Sequence, residues 1–286
     1  MNKGRAALSA QSIETAIVEL TEAVRLYPKN HLAEYQLGTA FDKRNSPNEA
    51  ALHYGKAVQE LPENVVYNMF YGIALYKQAV FQARDGEAKK QGKKIDQIAE
   101  SDVDLRAINF DEASKYLQQA IKLDGTLWGS HYYLGRIYRI QDKPQLAAQE
   151  FTAAIQGDPR EQAPYVALAE LYRKWDYTDQ AIQVAAQGSA NVLGNARSEV
   201  NYVLGMAYFD KKKLDDAVDA FGKAIEDSGR QNHKALFQRG LALFVLGKSK
   251  EAKKDLEEYS KTAGESEQFN KSMANKVLLD IAAKQI

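Results

Sequence analysis

Residues 128–161 read WGSHYYLGRIYRIQDKPQLAAQEFTAAIQGDPRE. Within these 34 residues Leu134-Gly135 is followed by an aromatic at Tyr138, a small residue at Ala147, an aromatic at Phe151, a small residue at Ala154 and a closing Pro159. The spacing predicts two helices joined by a short turn. Gly135 on the first helix and Ala147 on the second lack bulk, so the two axes can cross closely. Leu134, Tyr138, Phe151 and Ala154 then fill the seam, and Pro159 cannot continue the second helix.

The same constellation recurs along the chain. Residues 31–64 carry Leu37-Gly38, Phe41, Ala50, Tyr54, Ala57 and Pro62. Residues 162–197 carry Leu168-Ala169, Tyr172, Ala181 and Ala185, with an irregular turn around Val192–Asn195. Residues 198–232 carry Leu204-Gly205, Tyr208, Ala217 and Phe221, and residues 233–266 carry Arg239-Gly240, Leu243, Ala252 and Leu256. This pattern resembles the tetratricopeptide repeat. The resemblance implies an all-α, right-handed superhelical solenoid running through residues 1–286 as a single domain. Residues 267–285 place Phe269, Met273, Val277 and Ile281 four apart, which predicts an amphipathic C-terminal capping helix.

Two places depart from the pattern. In residues 65–127, Tyr71-Gly72 opens a repeat whose second helix, with Ala113, Leu117 and Ala120, comes late: 41 positions separate Gly72 from Ala113, against 12 between Gly135 and Ala147, so 29 residues are inserted. The inserted stretch, about 80–108, is charged and rich in helix formers. It predicts an extension of the first helix, a turn near Gly92 and a returning helical segment, projecting roughly 21 Å at 1.5 Å per residue. A flexible polar loop is the alternative. At the other departure, aligning Ala16, Leu20, Ala23 and Pro28 with the unit puts Gly4 at the Leu-Gly place, so the first helix of residues 1–30 would begin before Met1. The N-terminus is therefore expected to be truncated, which leaves a leader, a lipid anchor and the compartment, cytoplasmic or periplasmic, undetermined.

Composition narrows the function classes. Of 286 residues, 38 are basic and 38 acidic, so bulk charge points to neither nucleic acid nor a polyanionic partner. There is no Cys, hence no disulfide framework, thiolate metal site or cysteine nucleophile. No apolar run approaches a membrane span. His31, His53, His131 and His233 fall in different repeats without metal-ligand spacing, and the glycines form neither a dinucleotide fingerprint nor a phosphate loop. Acidic pairs such as Asp215-Asp216 precede second helices, where the helix dipole favours negative charge. No catalytic constellation and no cofactor site is expected.

The family resemblance implies that first helices line a concave groove. Carried onto this sequence, the groove positions include Tyr35, Met69, Tyr76, Tyr132, Arg136, Arg139, Arg173, Tyr202 and Phe209. Aromatics that face solvent are a binding signal, because they supply contact area at low entropic cost. The five-residue carboxylate clamp of some family members is absent from the matching positions, as is the Asn ladder of others. A second feature is a basic rim at the turns between first and second helices, with Lys211, Lys212 and Lys213, extended by Lys89, Lys90, Lys93 and Lys94 at the tip of the insertion. An acidic protein or an anionic membrane surface would suit such a rim.

These features indicate a non-catalytic protein–protein adaptor or assembly scaffold that takes a protein or peptide in its groove or on its insertion. At the family level, bacterial pilus, secretion, motility or polarity complexes are the expected setting. Two other readings follow from the same residues: a regulatory or substrate-recruiting arm of a larger enzyme, and an array that self-associates through its ends.

Overall fold

The computed structural model describes residues 12–264 and 267–283; Gly4, at the first Leu-Gly place, lies outside them, as do residues 265–266 and the end of the capping segment. Among the described residues there are fourteen α-helices and no strand. The chain divides into two compact units, residues 1–157 and 158–286.

The first unit contains α1 (Ile13–Leu26), α2 (His31–Lys43), α3 (Pro47–Glu60), α4 (Val65–Gln91), α5 (Asp111–Leu123), α6 (Trp128–Ile140) and α7 (Pro144–Gly157). Sequence sets the helix ends. The side chains of Asn30 and Asn64 accept hydrogen bonds from the backbone N–H groups of Ala33 and Tyr67, both at 3.0 Å, capping α2 and α4. Pro47 occupies the first turn of α3, where its missing N–H has no partner to lose. Between paired helices the backbone turns through a positive-φ residue, Asn45 at 59° and Asp142 at 55°, side chains that tolerate the left-handed region. The seams follow the expected pattern: a Cβ on Gly135 would meet the Phe151 ring at 2.7 Å, so α6 and α7 close only because the position is glycine.

The insertion is half helix. Helix α4 has 27 residues against 13 in α2, and it ends at Gly92, whose φ of 64° supplies the left-handed cap. The first arm and its turn therefore match the expectation. The returning arm does not: it forms three separate 3-10 turns, Ile95–Gln97, Glu100–Asp102 and Leu105–Ala107. The cause is local competition for backbone donors. The Gln97 side chain accepts from the Lys94 N–H (3.0 Å), Asp102 from Ala99 (2.9 Å) and Asp104 from Arg106 (3.2 Å), and each bond closes a turn that a continuous helix would have to open. The arm then enters α5 through Phe110, which is buried and stacked on Tyr76.

The second unit contains α8 (Gln162–Lys174), α9 (Thr178–Asn191), α10 (Arg197–Asp210), α11 (Leu214–Asp227), α12 (His233–Val245), α13 (Ser249–Thr262) and α14 (Gln268–Ala283). Its core joins Phe221, Leu236, Leu256 and Tyr259 to Ala274, Val277 and Ile281 of the capping helix. The stripe predicted for that helix is only half right, since Phe269 is 76% and Met273 37% exposed. At about 100° per residue a four-residue step overshoots the turn, so the drift from Phe269 to Ile281 amounts to about 120° around the axis. The buried face instead runs through Ala274, Val277 and Ile281. Arg239, standing where four of the other repeats have Leu, donates to both carboxylate oxygens of Asp255 at 2.7 and 2.8 Å, and Asp255 is buried. The repeat thus keeps its seam by replacing an apolar contact with an ion pair.

Candidate partner-binding surface

In the first unit, α4 and α6 are adjacent first helices, and they present Tyr76, Tyr132, Tyr133 and Arg136 to one another. The Arg136 guanidinium lies 4.8 Å from the Tyr76 ring centroid, 5.7 Å from that of Tyr133 and 5.9 Å from that of Tyr132. Arginine over aromatic faces is stabilised by their quadrupoles. Its Nη2 donates to both oxygens of Glu100, at 2.7 and 2.9 Å, and the Tyr76 hydroxyl donates to the same carboxylate at 3.2 Å. Burial works against the charge on Arg136, yet Tyr76, Glu100 and Tyr132 more than offset it and push its pKa up. Burial also pushes the Tyr76 hydroxyl up, so it stays protonated and able to donate.

The family resemblance puts Tyr76 and Arg136 at groove positions, with burial against neighbouring first helices as the alternative. The structure covers both: Tyr76 is 2% exposed and the Arg136 side chain 18%. The cover is the returning arm of the insertion, which packs on α4 through its first two turns. Arg84, on the inserted half of α4, donates to the carbonyls of Ile98 (2.7 Å) and Ile95 (3.0 Å). A cleft of about 490 Å³ remains beside the arm, lined by Asp42, Lys77, Arg84, Asp96, Glu100 and Arg136.

The other expected groove residues separate into two groups. Tyr35 is half-buried and stacks on Tyr67 with centroids 5.0 Å apart, and Met69 is half-buried with its sulfur close to Gly129. Tyr132 is half-buried, as is Arg139. In the second unit, Tyr202 and Phe209 are half-buried on α10, with Tyr202 tilted against Phe221 at 5.9 Å, and Arg173 on α8 donates to Asp210 at 2.7 Å. A separate polar cleft of about 540 Å³ in this unit is lined by Ser198, Glu199, Asn232, His233 and Lys234 among others.

The rim is more neutral than its lysines suggest. Lys89 pairs with Asp85 at 2.5 Å, Lys90 with Glu87 at 3.4 Å, and Lys211 with Asp179. Lys212 takes the positive-φ place of its turn, at 63°, with its ammonium 6.0 Å from the Phe209 centroid, while Lys93, Lys94 and Lys213 are exposed. Among the described residues no helix is long and apolar enough to cross a membrane, and no cluster of His, Asp and Glu is arranged to hold a metal ion.

The sequence pattern of the tetratricopeptide repeat family matches residues 1–65, 98–164 and 200–265, more than half of the chain. The chain belongs to the tetratricopeptide repeat family. Solved tetratricopeptide structures share its fold. One, a tetratricopeptide repeat protein from Parabacteroides merdae, is 14% identical with a TM-score of 0.59, covering 98% of this chain and 96% of that one. The Cut9–Hcn1 hetero-tetramer of the APC/C gives 14% identity and a TM-score of 0.61 over 92% of this chain and 45% of its own. Yeast Tom70 gives 18% and 0.56 over 96% and 52%. At these identities the likeness concerns fold alone. A comparison with curated proteins finds no match.

Sequence reasoning missed Glu100, Arg84 and Tyr133. Glu100 is one carboxylate among several in a charged insertion, and only the path of the arm selects it. Tyr133 falls outside the groove positions implied by the family. A signal for Arg84 did exist, since it stands in the inserted extension of a first helix, where a cation can reach a segment doubling back.

Proposed function

We propose that this tetratricopeptide solenoid is a non-catalytic adaptor or assembly scaffold that holds a protein segment on its first-helix surface. The observation that carries the reading is the Arg136 cluster: a first-helix surface of this chain seats an irregular acidic segment through a guanidinium, tyrosine faces and the segment's own backbone carbonyls. These are the elements by which proteins recognise peptides. In the second unit, Tyr202 and Phe209 offer half-buried aromatics on α10 for the same use. A bacterial pilus, secretion, motility or polarity complex is the setting we propose for it.

Photo-crosslinking in cells tests the reading. A benzoylphenylalanine replacing Tyr202 or Phe209 is expected to give discrete protein adducts, whereas one replacing Gln183 or Lys223, exposed on second helices α9 and α11, is not. Adducts from the second-helix positions alone would overturn it.

A further inference from the structure

Between Gly92 and Ile108 the returning arm buries only two side chains, Ile98 at 1% and Leu105 at 9% exposure. Val103 and Ile108 pack half-buried against the core beside Leu105, whereas residues 95–102, apart from Ile98 and the half-buried Ile95, are held by polar contacts of the kind a bound peptide makes. The backbone is extended at Ile98 (φ −107°, ψ 114°) and at Ala99 (φ −76°, ψ 161°). Arg84 grips the Ile95 and Ile98 carbonyls, a contact independent of side-chain identity. Two residues beyond Ile98, Glu100 delivers its carboxylate to Arg136 and Tyr76. Arg84 and Arg136 thus hold the segment at its backbone and at its carboxylate.

Resting on the adaptor reading above, we propose that residues 95–102 are an intramolecular stand-in for the partner: a displaceable strap filling a site built for an irregular acidic segment with an aliphatic residue two places before a glutamate. Charge favours exchange for another acidic segment. With the strap in place, the cleft sets Lys77, Arg84 and Arg136 against Asp42, Asp96 and Glu100. Lys77 is already paired with Asp42 at 2.7 Å, so removing the strap leaves Arg84 and Arg136 without a counter-charge in the cleft. A neutral or basic occupant would leave Arg136 among tyrosine faces with no carboxylate, and a half-buried guanidinium without its counter-charge is unfavourable. Being tethered, the strap competes at high effective concentration, so the site stays closed to weak ligands and opens only to segments that add contacts beyond it.

The probe is a dye-labelled, acetylated peptide with the sequence of residues 94–102, followed by fluorescence anisotropy against the full chain. The opened protein is the double variant Ile98→Ser/Glu100→Gln. It is expected to bind the peptide at least tenfold more tightly than the unaltered chain. That gain should vanish when Arg136→Gln is added, and also when the peptide carries Gln in place of its Glu. Circular dichroism establishes that each variant keeps its helices; replacing residues 93–107 with a Gly-Ser linker opens the site by a second route should the point variants unfold. Equal affinity in opened and unaltered chains, or a gain that survives Arg136→Gln, overturns the proposal. The two readings separate cleanly: adducts at Tyr202 and Phe209 without peptide binding would make the strap a permanent part of the fold and leave the adaptor standing. Peptide binding without adducts would keep the site and remove the second-unit surface from the adaptor reading.

Discussion

Residues 65–127 and residues 198–232 build the same helix pair and leave it with different surfaces. In the first, a Cβ on Gly72 would stand 2.8 Å from Leu117; in the second, one on Gly205 would stand 2.5 Å from Phe221. The seam is equally tight although 45 positions separate Gly72 from Leu117 and only 16 separate Gly205 from Phe221. The 29 inserted residues leave the packing register untouched, because α4 lengthens outward and the chain returns to α5 in phase. What they alter is the first-helix face. Tyr76 is sealed under the returning arm, while Phe209, at the matching position of the second repeat, stays half-buried. The insertion therefore changes the recognition surface and adds Leu105, Val103 and Ile108 to the core beside Tyr76 and Leu117, while the Gly72–Leu117 seam keeps its register.

The largest effect expected from breaking this comparison concerns the two arginine–carboxylate pairs. Arg239→Leu strands Asp255, which is buried, and should cost about 3–5 kcal/mol in denaturant melts. Arg136→Leu strands Glu100, whose side chain is 39% exposed and can rehydrate, so about 1–2 kcal/mol is expected. Equal costs would mean that the strap belongs to the core. Next come the glycines. Gly205→Ala forces the Phe221 ring to move and should lose about 1–3 kcal/mol. Gly86→Ala, in the inserted half of α4 with nothing within 4 Å of the new methyl, should instead gain about 0.5–1 kcal/mol.

The smallest expected effect depends on pH. His131 has its Nδ1 2.7 Å from Glu150 and its Nε2 3.1 Å from the Gly125 carbonyl. The hydrogen bond with Glu150 raises its pKa, burial works the other way, and the net shift is upward. A folded-state pKa above the unfolded value means that the contribution is complete below the ordinary histidine value of about 6.5 and is lost as pH rises through the folded value. The matching place in residues 198–232 is Asn201, which donates to Asp227 at 2.7 Å and does not titrate in this range. Urea midpoints of the native chain should therefore fall from about pH 6 to 8 while those of His131→Asn stay level over the same window. A parallel decline in both would show that another group carries the slope.

Much of the fold was legible because the repeat is a local code. Leu134-Gly135 with Phe151, or Leu37-Gly38 with Tyr54, specify contacts inside one helix pair, and these recur wherever the residues recur. The insertion was legible in its first arm, where helix formers run up to Gly92, and not in its return, where Gln97, Asp102 and Asp104 turn their side chains onto the backbone. The capping stripe misled because four-residue spacing resembles helical periodicity over two steps and departs from it over three. Of the candidate surface, the residue types were legible and their availability was not: Tyr76 and Arg136 occupy groove positions, and whether such a position is open depends on a segment 24 to 36 residues away in sequence.

By itself, then, the sequence determined the repeat, its register and the place of its interruption, since each rests on steric matches between residues a helix or two apart. That the interruption folds back to lay Glu100 on Arg136 emerges in three dimensions alone. That contact depends on the path of an irregular arm, which helix-forming tendency does not prescribe, and on a charge pairing that any of several acidic residues in the arm was able to make.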